Sequence, residues 1–392
     1  MQEYAHEDLA ATLRRGQPLV WGDPDDGAVH AGWGHAARFD AWGPDRFEEL
    51  SQQFDTYAAA HATGPDTRAY ATVTFAANSA APSTLVVPAV RGVWRDGVLA
   101  VEPNVAGAPG IPDPAPARPP EEPEFHAGRL TREGFRRAVA RAVALIDAGE
   151  ADKIVLARDL VAAGALDLAG LLVRLRDANP GAWVFQVDGM VGASPEMLVA
   201  LRDGAVFSRV LAGSAPVTGD TGADDAAAAA LMASGKDHVE HEYAARSVSA
   251  RLARLGSVHA VGPQVLRLNT IMHLATEING TLSQPLSALQ VAGAVHPSAA
   301  VCGTPTRRAA ELIQQLEAMD RGRYAGPVGW MDARGNGQFA LALRCGQVEG
   351  PDSIRLFAGG GIVTGSDPTA ELAETARKFL PMYQALSQVA QP

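Results

Sequence analysis

The sequence predicts a globular protein built of both strands and helices, and three observations carry that reading. Nearly half of its 392 residues are apolar (47%), enough for a sizeable core. Short apolar runs with strand-like alternation recur between turn residues such as the Arg95 to Gly97 segment. Longer stretches between them show the 3.6-residue apolar period of helices, some with capping residues at their starts. The length allows one large domain or two ordinary ones.

Composition narrows the function classes. The net charge is −11, and no Lys/Arg block is long enough to track phosphates. That excludes nucleic acid and an acidic membrane surface as partners, and it leaves any anionic ligand to a few local cations. Cys302 and Cys345 are the only cysteines, with no CxxC, so neither a disulfide framework nor a thiolate zinc site is expected. The compartment should be reducing. The first residues, MQEYAHEDLAATLRRG, lack an apolar signal core, and no apolar run approaches the ~18 residues of a membrane span. The expectation is a soluble cytoplasmic protein.

Met1 to about Glu102 reads as framework: Thr67 to Ala77 and Ser83 to Pro103 are strand-like, with Arg95 to Gly97 as a hairpin turn. Pro103 to Pro123, rich in Pro, Ala and Gly, reads as an extended surface crossing. No regular repeat appears. Thr131 opens a helix with Phe135, Val139, Ala142 and Ile146 on one face, ending at Gly149. The run Asp152 to Ala162 alternates, with Lys153, Val155 and Ala157 on one side. Lys153 is open to two readings: an edge lysine with its ammonium in water, or a desolvated amine able to act as a base.

A helix over Leu168 to Ala178 precedes two strands, and Glu196 heads the second as either a loop carboxylate or a proton donor. The strand Ala205 to Pro216 ends in small residues, with Gly213 and Ser214 placed to offer backbone amides. A polar, Ala-rich segment then leads into a helix starting near Lys236, where Asp237 and Glu240 stand three apart on one face. His238 and His241 are also three apart, which is not HExxH spacing, so zinc is disfavoured. Gln264 to Leu282 reads as one strand in which His273 is either a satisfied core residue or a ligand. A helix over Thr306 to Met319, a strand starting around Tyr324, and a hairpin turning at Gly335 to Gly337 with Arg344 ending its return strand complete the middle of the chain. Arg344 is either a surface charge or a fork for a carboxylate.

The stretch from Ile354 to Phe379 organises the rest. An apolar run stops at Gly359, Gly360 and Gly361, which permit unusual dihedrals and close ligand approach. Asp367 and Pro368 start a helix on which Glu371, Glu374 and Lys378 share a face. Taken alone this is a solvated helix with a Glu-to-Lys pair. Two acidic helix faces converging would instead make a hard-cation site of the kind Mg²⁺ prefers. A GxGxxG nucleotide loop is excluded by spacing and by the lack of a βαβ unit.

The segments KIVLAR, SPEMLV, LAGSAP, KDHVEHEY, MHLATEINGTL, HPSAAVCGTP, RYAGPVGWMD, FALALRC, FAGGGIVTGSDP and ELAETARKF, in that order from Leu130 onward, resemble the motifs of the chorismate-utilising enzymes, and within them the isochorismate synthases. The resemblance implies a single α+β domain over 1–392, with two large, mostly antiparallel sheets stacked in a sandwich and helices outside. Residues 1–125 would be framework and 126–392 the motif-bearing catalytic part.

It implies Lys153 as general base and Glu196 as general acid. Glu240 and Glu374 would bind Mg²⁺, with Asp237 and Glu371 holding its waters. The substrate, chorismate, would meet Gly213, Ser214, His273, Tyr324, Arg344, Gly359, Gly360, Gly361 and Lys378. The implied reaction adds water at C2 of chorismate with loss of the C4 hydroxyl, formally an isomerisation, and needs no redox cofactor. Ala212, where aminodeoxychorismate synthases place a nucleophilic lysine, argues against that branch. The HPxxAVCG form argues against anthranilate synthases, so no glutaminase subunit is expected, and the chain should act as a monomer. The apolar Ala300 and Val301 favour a synthase over a salicylate synthase, which goes on to expel pyruvate. The AVCGTP form resembles siderophore-pathway more than menaquinone-pathway enzymes. A non-catalytic homologue that binds a cation or small molecule is the remaining alternative.

Overall fold

The computed structural model describes residues 2–61, 63–117, 121–268 and 271–387, less the side chain of Lys236. Among them, strands form a twelve-stranded and a nine-stranded sheet. The larger runs in the order Gln2–Ala5, Val98–Pro103, Val90–Arg95, Val29–Trp33, Leu19–Gly22, Trp183–Val187, Met190–Ser194, Cys345–Gly350, Ser353–Ile362, Lys153–Ala163 and Gly303–Thr304, with Glu124–Ala127 also pairing Lys153–Ala163. The smaller runs Gly256–Arg267, Ile271–Leu282, Ala205–Pro216, Met197–Arg202, Gly337–Leu341, Pro327–Asp332, Arg68–Thr72, Ser83–Val87 and Ala37–Ala41. Neighbouring strands are antiparallel in both sheets, as in the joints between N-terminal and later strands, Leu19–Gly22 on Trp183–Val187 and Arg68–Thr72 on Pro327–Asp332.

Alternation along the strands builds the layers. Trp21, Trp183 and Phe185 join Tyr70, Leu85 and Phe339 of the other sheet in one core, while Val20 and Val184, pointing the opposite way, pack with Leu171, Leu175, Phe379 and Met382 of covering helices. Trp21 Nε1 donates to Gln338 Oε1 across the two sheets at 2.7 Å, which satisfies a buried indole that would otherwise lose a hydrogen bond to water. The helices Arg132–Asp147, Leu168–Ala178, Thr306–Glu317 and Pro368–Ser387 pack on the larger sheet, and Arg46–Ala60, Gly235–Leu252 and Ala288–Val295 on the smaller. The fold is α+β with two antiparallel sheets, as the resemblance implied. No described helix is long and apolar enough to cross a membrane.

The expected caps are present. Thr131 accepts from the Gly134 amide, and Asp367 Oδ1 accepts from Thr369 and Ala370. Asp96 and Gly97 turn the Arg95 hairpin with positive φ at both positions, the type I′ geometry.

Several elements differ from the sequence reading. The Ala-rich segment before Lys236 is a helix, Thr221–Ala233, because uninterrupted alanines favour helix over coil. The Gln264 to Leu282 run is two strands of a hairpin, Gly256–Arg267 and Ile271–Leu282, with 269–270 outside the described residues. Residues 118–120 of the Pro-rich crossing are also outside them; 106–117 is irregular and mostly exposed. Tyr324 lies in a turn and the strand begins at Pro327, where the adjacent Ala325 has φ of 61°. Arg344 sits past the end of Gly337–Leu341 with φ of 47°, a left-handed residue between two strands. Above all, the strand does not stop at the three glycines: Ser353–Ile362 runs through them, and none has positive φ.

Candidate active site

Register sets the site. Gly359, Gly360 and Gly361 lie opposite Ala157, Leu156 and Val155, so the glycines sit beside the strand that Lys153 begins. Their role is space. A Cβ at Gly361 would meet Glu240 Oε1 at 2.2 Å and Lys153 Cε at 2.7 Å, and one at Gly360 would meet Glu371 Oε2 at 3.4 Å and Glu374 Oε1 at 3.5 Å. The two acidic helices, Gly235–Leu252 and Pro368–Ser387, therefore converge over one pair of glycines. Gly361→Ala should fold, since its backbone is ordinary, yet displace Glu240 and Lys153 together; an activity loss of about 10²-fold in a variant that is still folded at the assay temperature is the expected result.

Lys153 is fully buried, not an edge residue, and its Nζ lies 3.1 Å from Glu240 Oε1. Glu374 Oε1 accepts from Lys378 Nζ at 2.6 Å and from Ser214 Oγ at 3.0 Å, and Lys378 Nζ also donates to the Gly359 carbonyl at 2.9 Å. Burial opposes ionisation of Glu374, but the Lys378 ammonium and these hydrogen bonds outweigh it and hold the carboxyl at about 2. Glu196 shows the reverse balance. Burial pushes it up to about 8, against a backbone hydrogen bond from Leu211 and the charges of Lys153, Arg344 and Lys378. Glu196 is thus a protonated acid at neutral pH, within the electrostatic reach of the buried lysine.

In the Ala205–Pro216 strand a bulge falls at Gly213: Ala212 pairs Leu274 and Ser214 pairs His273, leaving Gly213, at φ of 72°, with no residue opposite. Asp237 packs over it, its Cβ 3.0 Å from where a Gly213 Cβ would stand. His273 bridges this strand to the far wall. Its Nδ1 contacts the Gly213 carbonyl at 3.1 Å, and its Nε2 contacts Arg344 Nη2 at 3.1 Å. Only a neutral ring with its proton on Nδ1 satisfies both, and burial together with the Arg344 and Lys378 charges pushes its pKa down to about 3. His273 is satisfied, and its partners are the site itself. Burial lowers the pKa of Arg344 and raises that of Tyr324, whose ring stacks on Phe357 at 5.0 Å.

These groups surround one cleft. Glu196, Gly213, Ser214, Glu240, His273, Tyr324, Arg344, the three glycines, Glu374 and Lys378 line it directly. Lys153, Asp237 and Glu371 stand behind that lining, at Gly361, Gly213 and Gly360 respectively. The apolar part of the wall includes Val155, Ala300, Val301, Leu343 and Phe357. His238 Nε2 is committed to the Met232 carbonyl at 2.8 Å, and His241 to the Ala212 carbonyl and Thr276, so neither offers a metal ligand.

For a divalent cation the donor type fits: Glu240 stands at Gly361 and Glu371 and Glu374 at the neighbouring Gly360, carboxylates from two helices of the hard kind Mg²⁺ takes. As they stand, Glu240 and Glu374 are turned to lysines, and no group of three or more His, Cys, Asp or Glu side chains among the described residues is gathered tightly enough to hold an ion.

Sequence reasoning missed a buried pair under the wall, Glu317 and Arg321, of which Arg321 reaches the cleft. Its signal was an i, i+4 Glu-to-Arg spacing at a helix end, which exposed helices share. The part Ser214 plays through its hydroxyl, rather than its amide, was also not legible.

A buried lysine facing an acidic helix, a glutamic acid whose pKa burial raises and a buried arginine gather around one small cleft, groups of the kind that acid–base chemistry on a small anionic molecule would use. Residues 113–387 match the family model described as chorismate binding enzyme. Isochorismate synthase DhbC of Bacillus subtilis (strain 168) is 38% identical over 289 residues, covering 68% of this chain and 72% of its own. Isochorismate synthase EntC of Escherichia coli (strain K12) is 39% identical over 258 residues, 63% of this chain and 66% of its own. Among solved structures, DhbC from Bacillus anthracis superposes with a TM-score of 0.82 at 29% identity, covering 96% of this chain and 98% of its own. Anthranilate synthase component I from Streptococcus pneumoniae TIGR4 has the same fold, with a TM-score of 0.75 at 21% identity over 91% and 92%. The chain belongs to the chorismate-binding enzyme family.

Proposed function

We propose that this protein is an isochorismate synthase, converting chorismate to isochorismate. The single observation that carries the reading is the pairing of a buried lysine with a glutamic acid held protonated to about pH 8 around the same cleft. Chorismate is a dianion, and the cleft offers Arg344, Lys378 and the Gly359 to Gly361 backbone to one carboxylate. The carboxylates Glu240 and Glu374, with Asp237 and Glu371 behind them, would hold Mg²⁺, whose charge would neutralise the other carboxylate of the substrate.

Lys153, acting as a neutral amine once it has given up its contact with Glu240, takes a proton from the water that forms the new C2–O bond. The ring double bonds shift, the C4–O bond breaks, and Glu196 protonates the departing hydroxyl, so one water enters and one leaves. The apolar Ala300 and Val301 wall supplies no group to assist loss of pyruvate, which favours a synthase over a salicylate synthase. Both lysine and acid are in place, which a non-catalytic cation-binding homologue would not need.

Incubation with chorismate and Mg²⁺ should accumulate isochorismate without salicylate or pyruvate; salicylate plus pyruvate, or no product, would overturn this reading. Glu240→Gln should raise the Mg²⁺ concentration for half-maximal rate by about 10- to 100-fold, the scale of losing a metal-site carboxylate's contribution. An unaltered metal dependence would remove the acidic helices from the site. The proposal extends to a chain acting as a monomer without a glutaminase subunit, and, on the AVCGTP form of its loop, to supply of an aryl-acid siderophore pathway.

A further inference from the structure

The strand that carries Lys153 has a gap in its outer edge. On that side Gly303–Thr304 pairs only with residues 153–154, and Glu124–Ala127 only with 160–163. Between them Val155 N donates to the Cys302 carbonyl at 2.9 Å, and a buried ion pair, not a strand, meets two further backbone groups. Ala157 N donates to Glu317 Oε1 at 2.7 Å, and Arg321 Nη2 donates to the Val155 carbonyl at 2.8 Å. The same guanidinium gives Nη1 to the Val301 carbonyl at 2.9 Å, and its Nε to Glu317 Oε2 at 2.9 Å. Glu317 and Arg321 are 1% and 4% exposed.

Val155 and Val301 both line the cleft, so one planar cation holds two neighbouring segments of its apolar wall by their carbonyls. Only Arg can do this: its fork reaches the two carbonyls and the carboxylate at once, whereas an ammonium is a point donor. Desolvation cancels much of the attraction in an ion pair this deep, and replacing both members by apolar groups is often neutral, whereas removing one leaves a buried charge unpaired. The groups that grip carboxylates, Arg344 and Lys378, make none of these contacts.

Resting on the isochorismate synthase reading, we infer that Glu317 and Arg321 are positioning residues, which fix the Val155 and Val301 wall so that the bound ring is held in line with Lys153. Binding should survive their loss, and orientation should not.

The test is steady-state kinetics of Arg321→Lys, which keeps the charge opposite Glu317 but cannot hold both carbonyls. Expected is a fall in kcat of about 10²-fold with KM for chorismate changed by less than about threefold, the signature of lost alignment at retained affinity. The descending pH limb that reports Glu196 should stay in place. Glu317→Gln, which keeps an acceptor for Ala157 N, should show the same split more weakly and guards against a fold-specific failure of the first variant. Thermal unfolding of both variants establishes that the folded enzyme is assayed. A kcat equal to wild type in folded Arg321→Lys, or a loss accounted for by KM or by unfolded protein, overturns the inference. Wild-type enzyme that forms no isochorismate overturns instead the reading on which it rests.

Discussion

Lys153→Ala is expected to lower kcat by roughly 10³-fold, the contribution of a positioned general base, while chorismate affinity stays within a few-fold of wild type. The lysine is fully buried and lies behind Gly361, so it is not placed to grip a substrate carboxylate. What it can do is accept a proton from a water in the cleft, once separated from Glu240. The alanine variant also removes the contact Lys153 makes with Glu240, but that carboxylate lines the cleft and stays in reach of water or a cation. Lys153→Met, of similar length and without a charge, separates the loss of the base from the loss of packing. Equilibrium binding of chorismate and single-turnover rates on both variants check this. Unchanged turnover would remove the lysine from the chemistry.

Glu196→Gln is expected to cost a comparable factor, again roughly 10³-fold in kcat, because an amide cannot protonate the departing hydroxyl. In the wild type the acid must carry its proton, and burial holds its pKa at about 8. The rate should therefore fall as pH rises through that value, with kcat/KM losing about tenfold per unit above it. The same shift has a stability consequence of defined sign. Between the ordinary carboxyl value of 4.5 and about 8 the folded protein binds this proton and the unfolded chain does not, so stability declines with rising pH across that window. Glu196→Gln should flatten the decline. Parallel pH profiles of rate and of unfolding midpoint for the two proteins measure both effects; a wild-type rate still rising above pH 8 would contradict the assignment.

The acidic helices were the most legible part of the site, because period and caps are local properties. Asp367 and Pro368 mark a start, and spacing alone puts Glu371, Glu374 and Lys378 on one face. What spacing does not give is the partner. Lys153 looks like an edge residue until Glu240, from a helix distant in sequence, is seen against it. The three glycines show the limit of propensity reasoning. Glycine weakens a strand, so a break was the local expectation, yet the strand continues, paired with 155–157, and Gly361 is glycine because Glu240 and Lys153 occupy the volume where its side chain would stand. His273 was ambiguous for a similar reason. An imidazole among apolar neighbours has no visible partners in sequence, and its two partners, Gly213 and Arg344, come from a bulge and a left-handed residue that only the folded sheets create. The Glu317 and Arg321 pair was hidden because burial, not spacing, is what distinguishes it from a surface ion pair.

The most direct measurement is turnover of chorismate with Mg²⁺ in ¹⁸O-enriched water, followed by mass analysis of the product. Water attack assisted by Lys153, with Glu196 releasing the C4 hydroxyl, requires isochorismate carrying one solvent oxygen at C2. No isochorismate, or isochorismate whose C2 hydroxyl is unlabelled, would contradict it.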